Sequence, residues 1–135
     1  MAGYSKRSLV DKLGIKHGYH VAVLGAPANY AITLGSLPPD VKTSKALEGE
    51  EDFIQFFTKS RHELEQEFPA LKSSLAQNGM LWISWPKGSS GVATDLNEGV
   101  VREIGLAHGL VDVKVCAVDE IWSGLKFVYR LRDRK

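Results

Sequence analysis

The chain has 135 residues, the length of one ordinary domain whose core needs no covalent staples. Hydrophobic residues make up 44% and charged residues 24%, with 17 Lys+Arg against 16 Asp+Glu. That balance is typical of a globular protein and points away from nucleic acid and other polyanions.

The single cysteine, Cys116, excludes an intrachain disulfide and suits a reducing compartment. No secretory apolar region follows Met1, and no apolar run approaches the ~20 residues of a membrane span. A soluble cytoplasmic protein is expected.

In chain order, Ser5 or Ser8 opens a short helix carrying Leu9 and Leu13, which Gly14 stops. Val21 to Leu24 is wholly apolar and reads as a parallel strand covered on both faces. Gly25-Ala-Pro27 turns the chain. Pro27 suits the first position of a helix to about Leu34, ended by Gly35 and Pro38-Pro39. Val41 to Leu47 is a weak strand, interrupted by Lys42 and Lys45 and placed at an edge. An acidic connector, Glu48 to Asp52, leads to a third strand, Phe53 to Phe57.

Ser60 and Glu63 match the S-x-x-E capping box, and Leu64, Phe68, Leu71 and Leu75 form a helical stripe. Pro69 lies within it, where it costs ~3 kcal/mol in an unbroken helix. A kink, or two abutting helices with Pro69 opening the second, is therefore expected. Asn78-Gly79 closes this segment, and Met80 to Trp85 is the central fourth strand. After the Gly/Ser-rich loop Pro86 to Gly91, Asp95 and Glu98, or Thr94, cap a helix carrying Leu96, Val100, Ile104 and Ala107 on one face. Glu98 and Arg102 pair at i, i+4, and Gly109 ends the helix. Val111, Val113, Val115 and Ala117 alternate with Asp112, Lys114 and Cys116; Leu125, Phe127, Tyr129 and Leu131 alternate likewise. Asp119 to Gly124, between them, is too short for a parallel crossover and implies an antiparallel hairpin.

These elements predict one three-layer, Rossmann-like α/β domain over residues 1–135. Its six-stranded, mostly parallel sheet has the order 2-1-3-4-6-5. A ligand is expected beyond the carboxyl ends of strands one and three, where Gly25 to Tyr30, Thr58 to Ser60 and Pro86 to Gly91 converge.

The Gly-containing turn after strand one, Asn78-Gly-Met-Leu-Trp-Ile-Ser84 and the closing hairpin resemble the class I S-adenosylmethionine-dependent methyltransferase core. More narrowly, most of the chain resembles a small family of uncharacterised bacterial proteins, catalogued as domain of unknown function 3052. The blocks carrying that likeness are Leu13-Gly-Ile15, Val21 to Pro27, Met80-Leu-Trp82, Trp85-Pro-Lys87, Thr94-Asp-Leu96, Val113 to Glu120 and Trp122 to Lys126. The first resemblance implies S-adenosylmethionine at the Gly25 turn. The second brings no activity with it.

The candidate cofactor-pocket residues are Gly25, Ala26, Pro27 and Tyr30, with Asn29 beside them and Trp85 and Lys87 at the mouth. The motif is degenerate. Pro27, which lacks an N–H, stands where a second glycine would let backbone approach the ligand. Where an acid for the ribose hydroxyls belongs, the second strand has Lys42 and Lys45, with Glu48 the nearest acid. A turn that only packs a helix on a strand is the competing reading.

Lys87 is either a point charge for a phosphate or carboxylate, or a solvated lysine. Gly88-Ser-Ser-Gly91 lacks the P-loop pattern. Asp119 and Glu120 are a carboxylate pair or turn formers, and Trp122 either caps the core or anchors a partner. His17, His20, His62 and His108 show no metal spacing, so no metal is expected; Cys116 reads as a buried inert thiol, and no catalytic residue is assigned. These features favour a non-catalytic or degenerate methyltransferase-like binding or regulatory module, with a homodimer through a sheet edge as its candidate assembly. The alternative is a minimal S-adenosylmethionine- or nucleotide-binding enzyme using the Gly25 turn.

Overall fold

The computed structural model describes residues 7–134. Its six strands are β1 (His20–Leu24), β2 (Lys42–Ser44), β3 (Glu51–Phe57), β4 (Leu75–Pro86), β5 (Leu110–Ala117) and β6 (Trp122–Tyr129). They pair in the order β2-β1-β3-β4-β6-β5, parallel from β2 to β4 and antiparallel across β4, β6 and β5. This is the expected sheet, hairpin included.

Side-chain alternation splits the core into two layers. Ala22, Ile54, Phe56, Leu81, Ile83, Leu125 and Phe127 face one side, under α3 (Arg61–Ser74) and α4 (Glu98–Ala107). Val21, Phe53, Phe57, Met80, Trp82 and Trp122 face the other, under the short helices α1 (Leu9–Leu13) and α2 (Tyr30–Leu34). Trp82, fully buried, donates its indole N–H to the Leu13 carbonyl at 2.9 Å and so pins α1 to β4.

Several elements differ from expectation. Ser8 caps α1, accepting from Asp11 N–H; Ser5 lies outside the described residues. α2 begins at Tyr30, because Pro27 opens a turn in which its carbonyl accepts the Tyr30 N–H. β2 shrinks to Lys42–Ser44, and β3 starts earlier, at Glu51. The acidic residues find backbone donors there: Glu51 accepts from Glu48 N–H at 3.0 Å and Asp52 from His20 N–H at 2.8 Å. No helix fits between β2 and β3. Residues 45–50 cross β1 alone, with Leu47 packed on the first layer.

α3 runs through Pro69 unbroken. Pro69 is exposed between the buried Phe68 and Leu71, so the carbonyl it leaves unpaired is on the solvent side while packing holds the helix. Leu75 is no longer helical; it starts β4, which also absorbs Asn78-Gly79. A register shift accommodates them, and only glycine fits at 79, since a Cβ there would lie 2.9 Å from the Glu51 and Asp52 carbonyl oxygens.

Asn97, not Thr94, Asp95 or Glu98, caps α4 through Val100 N–H. Asp95 instead caps α3, accepting from Arg61 N–H at 2.8 Å. The buried face of α4 is Val101, Ile104 and Gly105; Val100 is half-buried and Ala107 exposed. In β5 a bulge between Asp112 and Lys114 shifts the alternation, leaving Val113 52% and Val115 45% exposed along the sheet edge. Cys116 is half-buried, and Leu131, past the end of β6, is exposed.

Candidate ligand-binding cleft

The cleft begins where β1 ends. Gly25 takes φ +69°, and a Cβ there would sit 2.7 Å from the Phe57 carbonyl oxygen at the end of β3. Glycine lets the two backbones meet. Replacing Gly25 by alanine should cost about 2 kcal/mol from left-handed backbone plus overlap, read as a lowered urea midpoint. An unchanged midpoint would mean that this approach is not fixed.

After that turn Tyr30 reaches under the sheet. Its hydroxyl donates to Gln55 Oε1 at 2.5 Å, and Gln55 Nε2 donates to Ser84 Oγ at 3.1 Å. Gln55 and Ser84 are fully buried and Tyr30 nearly so. Burial pushes the Tyr30 pKa far above the ordinary tyrosine value, against the Gln55 hydrogen bond, which lowers it; the tyrosine stays neutral. The Tyr30 ring packs edge-on to Phe57 at 4.8 Å, and Phe57 packs edge-on to Trp122 at 5.1 Å. α2 is thereby tied to three strands.

Between α2 and the β1–β2 edge lies a cavity of about 600 Å³, within the range of small-molecule sites. Its floor is the Gly25-Ala-Pro-Ala28 turn and Val23; Tyr30, Leu34 and Leu37 make one wall and Thr43, Ser44 and Lys45 the other. Among the described residues that line it, Lys45 alone is charged. Of the pocket residues named from sequence, Gly25, Ala26, Pro27 and Tyr30 come together here.

Asn29, Trp85 and Lys87 do not line it; Asn29 immediately precedes α2. Trp85 is buried in the layer beneath α3 and α4, on the opposite face of the sheet from Tyr30. Lys87 donates its backbone N–H to the Ile121 carbonyl and precedes a 3-10 turn, Gly88–Ser90. The cavity lies toward β2 rather than between β1 and β3. The loop at the end of β3 is consumed in capping: Ser60 accepts from Glu63 N–H, Thr58 donates to the Glu63 carboxylate, and Thr94 donates to the Lys59 carbonyl.

Asp119 is a turn residue. One carboxylate oxygen accepts from both Ile121 and Trp122 N–H, at 2.8 and 2.7 Å. Trp122 lies within β6, 8% exposed, filling the core against Phe57. Glu120 is exposed. Among the described residues no group of three His, Cys, Asp or Glu could hold a metal, and no helix is long and apolar enough to cross a membrane.

Sequence reasoning missed Gln55, Ser84, Leu37, Thr43 and Ser44. A signal existed for the first two: one polar residue inside each of two neighbouring apolar strands implies a shared buried partner.

Several solved structures of similar fold are S-adenosylmethionine-dependent methyltransferases. One from Aquifex aeolicus has a TM-score of 0.63 at 17% identity over 88% of this chain and 86% of its own. Magnesium protoporphyrin IX methyltransferase from Synechocystis PCC 6803, solved with S-adenosylhomocysteine, has a TM-score of 0.58 at 15% identity over 90% and 78%. A TehB-like methyltransferase from Corynebacterium glutamicum gives 0.59 at 13% identity over 90% and 85%. At such identities the likeness shows the fold: this is a methyltransferase-like α/β domain. No protein-family model and no curated protein sequence matches the chain, so the narrower bacterial family is not shown.

Proposed function

We propose that this chain is a non-catalytic, ligand-binding module on a methyltransferase-like fold, of bacterial and cytoplasmic type, and that it binds through the cleft beside Gly25. The lining of that cleft carries the reading. S-adenosylmethionine brings a sulfonium cation and a ribose diol, and the diol is served by a carboxylate at the end of the second strand. Lys45 stands there instead, and Pro27 offers no N–H. The donor set therefore does not fit that cofactor. It suits a compact ligand with an apolar body and an anionic or neutral polar end.

A second reading, a minimal S-adenosylmethionine- or nucleotide-binding enzyme, draws on the position of the cavity at the first βα turn of a fold shared with methyltransferases. A thermal-shift and calorimetric titration separates the two. A ligand at about a hundred times its Kd adds about 2.7 kcal/mol to native stability. The expected result is no stabilisation by S-adenosylmethionine, S-adenosylhomocysteine, NAD or ATP, and stabilisation by at least one member of a panel of small organic acids. That gain should vanish in Ala26→Leu, which fills the cleft floor. Saturable micromolar binding of S-adenosylmethionine, lost in the same variant, would establish the second reading.

A further inference from the structure

A net charge of +1 conceals an uneven distribution. Lys114 of β5 and Lys126 of β6 are direct cross-strand partners, and like charges in that position repel. Lys126 is half-buried on the α1 side of the sheet. Its pKa is pushed down by burial first, then by Lys114 and by Lys16 just after α1. Lys12 of α1, with Lys114 and Arg7, acts on the neighbouring Cys116 thiol. Four lysines from α1, its exit, β5 and β6 thus share one face. None has a carboxylate within 4.0 Å among the described residues. On the other face of β5, Asp112 is matched by Arg102 at 2.9 Å. One face is neutralised; the other is left positive.

That face adjoins an open edge. β5 ends the sheet, so its outer backbone groups have no strand partner, and Val113 and Val115 are exposed along it. We propose that the β5 edge and the lysine face beside it dock an extended acidic–apolar protein segment, added to the sheet as a further strand. Main-chain hydrogen bonds would supply affinity, and alternate side chains would supply selectivity. Beyond the bulge, Lys114 lies on the α1 side and Val115, opposite Leu125, on the other. Acidic residues of the added strand meet the lysines, and the apolar residues between them meet Val115.

Other occupants fit worse. Two copies paired edge to edge would bring two lysine clusters together. Single-stranded nucleic acid is gripped by stacking on aromatic faces, whereas the exposed side chains here are valines. The bulge and Lys114 also guard the edge against unselective pairing, which leaves it open to acidic segments.

The test is fluorescence anisotropy of the full chain with a short labelled peptide of alternating glutamate and valine, at low and moderate salt. Saturable, salt-sensitive binding is expected, with slowed amide exchange along β5. Lys114→Glu should weaken it about tenfold, while Lys59→Glu, on the β3–α3 loop, leaves it unchanged. Lys114→Glu also removes the repulsion with Lys126, so its thermal midpoint should rise while binding falls. Unchanged affinity in Lys114→Glu overturns the proposal. So does equal binding of a peptide whose glutamates and valines form two blocks, equally tight binding of oligothymidylate, or a dimer seen by light scattering that excludes the peptide.

Discussion

Gly105→Ala is expected to destabilise the protein by about 3 kcal/mol, although alanine is the better helix former by about 1 kcal/mol. Gly105 sits on the buried face of α4, and a Cβ there would lie 2.0 Å from Phe127 Cε1 and 2.4 Å from Cζ. Phe127 cannot withdraw easily, since it is fully buried and packs edge-on against Phe68 at 6.0 Å. Phe68 in turn stacks on His108, whose ring nitrogen and backbone N–H both bond the Ile104 carbonyl. Helix, strand and ring thus form one closed contact. Urea denaturation measures the loss. Phe127→Leu combined with Gly105→Ala should recover part of it, because the two sites share the same space. Gly99, exposed near the start of the same helix, is the control: alanine there should be neutral or slightly stabilising. A neutral Gly105→Ala would show that α4 is not held by this contact.

Gln55→Leu should cost a comparable amount, about 3 kcal/mol, for a different reason. Leucine fills similar space but strands two fully or nearly buried polar groups, the Tyr30 hydroxyl and Ser84 Oγ, whose partner it removes. Among the described residues no buried side-chain polar atom lacks a partner, so the variant would create a fault the native chain avoids. The triple variant Tyr30→Phe, Gln55→Leu, Ser84→Ala deletes the stranded groups and should regain most of the loss. Equal destabilisation of the single and triple variants would assign the cost to shape rather than to hydrogen bonding. Because Tyr30 both opens α2 and lines the cleft, the single variant should also weaken whatever binds there.

The sheet order was readable because each step rested on a strong local signal. Alternation in Leu125 to Tyr129, the short span after Ala117 and the apolar block Met80 to Trp85 left few topologies open. What escaped was set by partners distant in sequence. Asp95, Thr94 and Asn97 all look like caps; only the packing of α4 beside α3 decides that Asp95 serves Arg61. The bulge at Val113 and the shift before Met80 alter alternation without marking composition. The Gly25 turn was found as half of the cleft. Its other half, Thr43, Ser44 and Lys45, escapes because strand order points to the β1–β3 side of the turn, whereas the cavity lies toward β2.

The helix-free crossing from β2 to β3 has a further consequence. Parallel strands are usually joined through about a dozen residues or more, commonly a helix that weights the strand edge down. Here residues 45–50 do the work, and Leu47 supplies the packing on that side. β2 is held by a three-residue ladder to β1 and by Lys42 N–H bonded to the Tyr19 carbonyl. Fraying concentrates where ladders are short and few apolar contacts are buried. The amides of β2, the outer wall of the cleft, are therefore expected to exchange faster than those of β3, β4 and β6.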